Sequence, residues 1–513
     1  MWLIYFVQAL QSNLTSNLAP YITSDFEGHS LLTVIATMTS IMSAACTMPV
    51  AKILNIWDRT VGFTLMMTIA MIGLIVMASC NDIATYCAAR VFYSVGFTGV
   101  IFSVDVLTSD TSSMRNRGLA FAFTSSPNII TAFAGSPLAN QFHESNWRWA
   151  YGTVAIILPV VATPLIVTWN LARRKAMENH VVKKTTSTRS WMEGFRYYFV
   201  EFDVIGIFLL IAGFSLLLLP LTLATSQPEQ WRSASTITMI VLGGVLVLVF
   251  TIYERFFAPK PFIPYHLLAN CTIIGACLMD MTYQIAYYCW NSYFTSYLQV
   301  VYETSLTEAG YINSIFDMVS AVWLFGVGFL MRYTGRFKWI LLCAVPLYML
   351  AVGLMIYFRS PGKSVGFIVM CEIFMSLGGG AIILLSQISV MAASKHEDYA
   401  AMLALLSLFG NMGGAVGNSI SGAIWTNTLP GKLQEYLPES TKSKWYEIYE
   451  SLDIQLSYPV GSATRDAIIH GYAVAQRNML IAGTAIMGLS IVFVMMIKNI
   501  KLKNLDSMQG VVF

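Results

Sequence analysis

Charge is what this chain has least of. Asp, Glu, Lys and Arg make up 11% of its 513 residues, against about 25% in a soluble domain. The remainder is 56% hydrophobic, with a mean hydropathy of +0.63. A water-soluble fold of this length is excluded, and the composition describes a polytopic membrane protein. A net charge of only +3, with no basic run interleaved with aromatics, leaves no electrostatic footprint for nucleic acid. Histidine is scarce. The eight cysteines lie in or beside apolar segments with no CxxC or Cys/His spacing, so neither a disulfide framework nor a metal site is expected. No nucleophile, base and orienting group converge in any stretch, and no cofactor fingerprint appears, so neither an enzyme nor a cofactor is expected. The chain opens directly in WLIYFVQALQ, without the basic flank and cleavage site of a signal peptide.

What the chain does have is apolar length. Stretches able to cross a bilayer number about fourteen, beginning near residue 2 and ending near 497. An even number puts both termini on one side. Loops on that side hold about 20 basic residues against about 8 on the other, so both termini are expected to be cytoplasmic.

Repetition then divides the chain. RVFYSVGFTG from Arg90 aligns with EIFMSLGGGA from Glu372 at an offset of 282, AKILNIWDRT from Ala51 with GFLMRYTGRF from Gly328 at 277, and Thr15–Leu18 with Thr295–Leu298 at 280. A near-constant offset means two related six-helix halves. The expected organisation is a six-helix bundle over 1–170, a basic linker over 171–200 and two additional helices over 201–257. A connector follows at 258–270, then a second six-helix bundle over 271–497 with an outer loop at 428–472, and a tail over 498–513. Parallel six-span repeats are the arrangement of the major facilitator fold, whose substrate site lies near the midplane between the halves. The expected fold class is therefore all-α: two six-helix bundles plus two additional helices.

Acids and amides inside apolar stretches mark the candidate site. In CLMDMTYQIAYYCWNSYF (277–294), Asp280, Tyr283, Gln284, Tyr287, Asn291 and Phe294 share one face about 100 degrees wide. A carboxylate at bilayer depth is costly and faces either a cavity or a partner. The two readings are a cavity wall and a polar helix-packing face with Asp280 bonded to a neighbour. The repeat-equivalent first helix has a polar face of its own, Gln8, Gln11, Ser12 and Thr15, which favours the cavity. Asp317, sharing a face with Asn313 and Ser320, is either a second titrating group or an interhelical cap. Arg90 and Glu372 are repeat-equivalents of opposite sign. They suggest a central ion pair, either broken in a transport cycle or structural. The candidate set of ionisable residues at bilayer depth is thus Asp280, Asp317, Glu372 and Arg90. The loop at 428–472 is too polar to span and carries Trp445 and Tyr446, which make it a lid, a docking surface or a passive cover. The histidines His29, His143 and His470 are expected to make surface hydrogen bonds.

Family likeness adds to this. Gly335-Arg336 after Gly328 and Leu330, and Asp58-Arg59 at the equivalent place in the first half, resemble the G-x-L-x-D-R-x-G-R-K loop motif of the major facilitator superfamily, a cytoplasmic gate. The motif's acid is replaced by Asn55 and Arg332. Gly135-Ser136-Pro137 resembles a worn form of the Gly-Pro motif of drug antiporters. Over nearly its whole length the chain resembles the fungal siderophore-iron transporters, a fourteen-span branch of that superfamily. The resemblance is carried by SDFEGHSLLTVIATMTSIMSAACTMPVAKIL (24–54), SDTSSMRNRGLAFAFTSSPNIITAFAG (109–135), NWRWAYG (146–152), PKPFIPYHLL (259–268), SLTEAGYI (305–312) and ATRDAIIHGYAVAQRNMLIAG (463–483). It implies import of a ferric hydroxamate siderophore by proton symport and alternating access, by a monomer in the plasma membrane or an endosomal or vacuolar membrane. A siderophore supplies the oxygen ligands that Fe(III) prefers, so no protein–iron bond is expected. Relatives of this branch also imply a rival, an exporter of toxin, drug or glutathione-like peptide. A siderophore-binding receptor is a third reading. The resemblance further implies a polar segment ahead of the first span, so the chain is expected to be trimmed there.

Overall fold

The computed structural model describes residues 1–57, 59–178, 191–227, 229–261 and 268–502, which form helices and turns with no strand among them. The first half comprises α1 (Trp2–Asp25), α2 (Leu32–Ile56), α3 (Arg59–Ser79), α4 (Ile83–Thr111), α5 (Arg117–Ser125), α6 (Pro127–Ser145) and α7 (Arg148–Glu178). Asp82 starts α4 by accepting from the Thr85 N–H at 2.7 Å, which satisfies one of the donors left free at a helix start. Between α5 and α6 the span expected over 117–139 breaks at Ser126–Pro127. Pro127 has no N–H to continue the ladder and suits the first position of a new helix.

Next come α8 (Trp191–Glu201), α9 (Val204–Leu223) and α10 (Ala234–Phe256). Helix α8 is held beneath α2: Lys52 Nζ donates to the Glu201 carbonyl at 2.7 Å, and Trp57 meets Tyr198 and Phe202 edge-on. Helix α9 packs between α2 and a helix of the second half, α16 (below).

The second half holds α11 (Cys271–Asn291), α12 (Phe294–Tyr302), α13 (Leu306–Thr334), α14 (Lys338–Phe358), α15 (Val365–Ala392) and α16 (Tyr399–Tyr436). Short helices α17 (Glu439–Lys442), α18 (Trp445–Glu450) and α19 (Leu452–Ser457) precede α20 (Ala463–Met487) and α21 (Leu489–Met496). Here too one expected span, 271–298, is broken. Tyr293 sits between α11 and α12 at φ 58°, a left-handed conformation that costs a non-glycine residue about 1–2 kcal/mol. Its ring stacks on Trp425 at 4.0 Å and its hydroxyl donates to the Ser30 carbonyl at 3.0 Å, which holds the break in place. Helix α16 runs nine residues past its expected end at 427.

Among the described residues, eleven helices are long and apolar enough to cross a membrane. The rods α1, α5–α6 and α11–α12 complete the two bundles of six and the additional pair. Two of these rods are broken, α5 and α12 being nine residues each, and α1 and α11 carry polar faces that line the cavity described below. Both described chain ends lie on one face: Leu502 N–H donates to the Gly335 carbonyl at 3.0 Å, Arg115 Nε to the Arg332 carbonyl at 3.3 Å, and Thr108 Oγ1 meets Met1 Sδ at 3.7 Å. This is the terminal face; the opposite loop face carries α17 to α19.

Candidate functional site

A cavity of about 720 Å³ lies between the halves, within the size range of sites that enclose a small-molecule ligand. Helices α1, α2 and α4 form one wall and α11, α15 and α16 the other. The lining is rich in hydroxyls and amides, including Ser12, Ser16, Ser40, Ser94, Gln284, Gln387, Asn411 and Asn418. Ser12 and Ser16 are exposed although they sit at mid-helix, so this face of α1 is open to the cavity.

Three charged side chains line the space: Arg90 and Asp105 on the first-half wall and Asp280 on the second. Asp280 is 7% exposed, and no described residue forms a hydrogen bond or ion pair with its carboxylate. Gly410 on α16 passes close by, where an added Cβ would lie 2.5 Å from Asp280 Oδ2; the missing side chain makes room for the acid. Arg90 lies over the Tyr93 ring at 5.4 Å. Asp105 accepts from the Tyr5 hydroxyl of α1.

The expected wet face of α11 is only half correct. Asp280 and Gln284 line the cavity, but the stripe continues to Tyr288. Tyr283, Tyr287, Asn291 and Phe294 turn into the second half instead. Tyr283 packs against Tyr348 with ring centres 5.0 Å apart, Tyr287 against Trp290 and Phe316 at 5.3 Å, and Phe294 lies under the Arg359 guanidinium at 4.4 Å. Asn291 Nδ2 donates to the Tyr287 hydroxyl at 3.4 Å. A sector 100 degrees wide holds two neighbouring stripes, and large rings with a bondable hydroxyl fill the core stripe.

On α1, Gln8, Ser12 and Thr15 line the cavity, whereas Gln11 is buried beside it with Nε2 donating to Thr15 Oγ1 at 3.1 Å. Asn313 is half-buried and away from the lining. Asp317 is exposed on the side of α13 away from its exposed apolar row Tyr311, Val322, Phe325 and Phe329. Arg90 and Glu372 are not paired. Glu372 is fully buried with both carboxylate oxygens unpartnered, and the cation acting on it is Arg359, whose Nη1 donates to the Trp290 carbonyl at 2.7 Å. The repeat places Arg90 and Glu372 at equivalent levels of their halves, but Glu372 turns into its own bundle.

Among the gate residues, Asp58 lies outside the described residues. Arg59 pairs with Asp110, which also lies 4.0 Å from His396 Nε2 of the second half. Gly335 ends α13 at φ 66°, and Arg336 is exposed. Trp445 and Tyr446 line a second cavity of about 560 Å³ on the loop face, with Tyr449, Glu450 and the ends of α9 and α16. Glu450 accepts from the Ser30 N–H at 3.1 Å and Oγ at 2.9 Å, and burial pushes its carboxyl above the ordinary range. His29 is not at the surface: it is fully buried against Tyr293 and Trp425.

Sequence reading missed Asp105, Tyr5, Tyr288, Asn411 and Asn418. Asp105 sits in IFSVDVL, an acid in an apolar run, and the rule that singles out Asp280 applies to it equally.

Comparison with known proteins fits this architecture. The Major Facilitator Superfamily profile matches residues 1–418. The chain is 57% identical to the MFS siderochrome iron transporter D of Aspergillus fumigatus, covering 100% of this chain and 86% of that one. It is 48% identical to the siderophore iron transporter mirB of Emericella nidulans, covering 100% and 85%, and 35% identical to the siderophore iron transporter 1 of Schizosaccharomyces pombe, covering 99% and 82%. Among solved structures, the human organic anion transporter MFSD10 superposes with a TM-score of 0.56 at 10% identity, covering 95% of this chain and 97% of that one. A bacterial homologue of the lysosomal transporter Spinster gives 0.55 at 15%, covering 96% and 94%; at such identities the likeness speaks for the fold. These relatives are transporters and not enzymes. Two six-helix bundles around a polar cavity, with whole-length identity to named siderophore carriers, place this multi-pass membrane protein in the siderophore-iron transporter family of the major facilitator superfamily.

Proposed function

We propose that the chain imports ferric siderophore of the hydroxamate type by proton symport and alternating access. The observation that carries the proposal is the polar cavity between the halves, with Asp280 unpartnered on its wall. Hydroxyl and amide groups suit an oxygen-studded chelate whose iron already has its ligands, so recognition falls on the chelate's surface and not on the metal. The names of the relatives support siderophore iron as the cargo. Asp280 is the first choice for the proton carrier, with Asp317 and Glu372 behind it, and Arg90 is the cation on the opposite wall of the cavity. The terminal face is cytoplasmic, the protein is a plasma-membrane monomer, and Trp445 and Tyr446 receive the chelate at the outer mouth. The division into bundles at 1–170 and 271–497, with the additional pair between them, is part of the same reading.

Radiolabelled ferric chelate offered to iron-starved cells lacking their own carriers tests it. Accumulation rises as external pH falls and collapses with a protonophore. Accumulation indifferent to both removes symport, surface binding without accumulation supports a receptor, and toxin resistance without uptake supports an exporter.

A further inference from the structure

We infer that Asp105, held by Tyr5, is a second proton-carrying carboxylate, on the first-half wall of the cavity and in series with Asp280. The inference rests on the proton-coupled reading above and adds a station to it.

Asp105 is half-exposed within α4 and lines the cavity, and the Tyr5 hydroxyl donates to Oδ1. Among the described residues no cation pairs with it. Arg90, on the same helix, stands 15 residues away, about 22 Å along the axis. Nearer the terminal face, Arg59 is taken by Asp110, which also faces His396. Arg117 of α5 is spent on the Ser109 and Ser112 carbonyls. From α2 the cavity wall offers Thr39, Ser40 and Ser43, and from α16 Leu403, Leu406 and Ser407, none charged. A structural acid at this depth would be expected to have a cation or several donors. Asp105 has one phenol, which can donate to the carboxylate and turn its lone pair toward the neutral acid.

The two acids stand on opposite walls of the cavity, each in the part of its helix nearer the terminal face. Asp280 lies nine residues from the terminal-face end of α11 and Asp105 six from that of α4, or about 14 Å and about 9 Å. The step is a plain proton transfer. The O–H bond of neutral Asp280 breaks, water in the cavity carries the proton, and an O–H bond forms on the Asp105 carboxylate. Asp280 is left ionised for the next cycle. Breaking the Asp105 O–H bond toward the terminal face releases the proton. No electrons move and no co-reactant is required.

The test uses the full chain in cells lacking other siderophore carriers, with ferric chelate uptake followed against external pH and with exchange of preloaded chelate measured at equal pH on both sides. Asp105→Asn loses the dependence of accumulation on external pH, read relative to that variant's own rate of exchange. A parental pH profile in Asp105→Asn overturns the inference. Should that variant fail to reach the membrane, Tyr5→Phe decides, since it keeps the ring and removes only the donor. The pH dependence of its accumulation, read relative to its own rate of exchange, shifts by about one unit, and an unshifted profile overturns the inference. If the parent itself accumulates regardless of pH, symport falls and the inference with it. A pH-driven parent beside an indifferent effect of both variants removes Asp105 alone.

Discussion

At Asp280 a carboxylate is held where neither a bonded neighbour nor lipid stabilises its charge, and where Gly410 leaves space beside it. That arrangement suits a group that changes its protonation more than one that caps a helix. Asp280→Asn keeps shape and hydrogen-bonding capacity but cannot titrate. A one-unit pH gradient supports about tenfold accumulation per coupled proton, so the variant is expected to lose about that factor while still exchanging bound chelate. Accumulation by the Asn variant equal to the parent's would remove Asp280 from the mechanism. At this scale the sequence was legible wherever one residue's own chemistry decides. An acid in an oily run must face a cavity or a partner, and Asp280 faces the cavity. Pairings were not legible. Tyr5 meets Asp105 across 100 residues, and Glu372 is buried within its own bundle with both carboxylate oxygens unpartnered and not paired with its repeat-equivalent Arg90, because helix rotation within a bundle depends on packing that no local pattern encodes.

Among the elements, the rods that differ from their expected form are those that carry polar or strained positions. Pro127 divides one and Tyr293 another. Proline at the start of a helix is a readable signal, whereas the Tyr293 break is held by Trp425 and Ser30, residues distant in sequence. Helices α18 and α19 form a further element with a definite attachment. Glu450 holds Ser30, and the Leu452 N–H donates to Ser24 Oγ at 3.0 Å. Tyr446, Tyr449, Tyr293 and Glu27 are titratable groups around that latch, with His29 Nδ1 3.5 Å from Ser24 Oγ and Asp453 on α19 itself. Docking raises the Glu450 carboxyl above its ordinary value through burial, so the docked state favours the protonated form. Its contribution to docking is full below the ordinary carboxylate range and is lost as pH rises through the raised value. Protection of the 445–457 amides, taken as exchange relative to the intrinsic rate at each pH, is therefore expected to be greatest at acid pH and to fall as pH rises through the raised Glu450 value. Glu450→Gln, neutral but still able to accept from Ser30, is expected to flatten that dependence; a variant with the parent's pH response would place the titration elsewhere.

For the whole molecule, the two halves meet at both faces and along a close seam. On the seam, Gly118 of α5 and Gly328 of α13 touch so nearly that a Cβ on Gly328 would lie 3.0 Å from the Gly118 carbonyl carbon. Such small-residue crossings let helices pivot with backbones in contact. On the loop face, Tyr21 of α1 donates to Gln299 of α12, and Arg465 of α20 donates to the Gln299 carbonyl at 3.3 Å. The proposed alternating access requires the Tyr21–Gln299 contact to part in each cycle while the Gly118–Gly328 crossing persists. A reducible bifunctional thiol crosslinker separates the two demands, applied to Tyr21→Cys with Gln299→Cys in a background whose eight free cysteines are replaced by Ser or Ala. Joining these positions is expected to stop both uptake and exchange, with reductant restoring them, because the cavity can then no longer open to the loop face. The same crosslinker on either single cysteine is expected to leave transport intact. Uptake that continues in the crosslinked double variant would mean the chelate reaches the cavity without separation of α1 from α12. Entry would then have to be sought at another seam, beside α9, where Ser419 Oγ of α16 donates to the Leu218 carbonyl at 2.7 Å and α9 packs across the junction of α2 with α16.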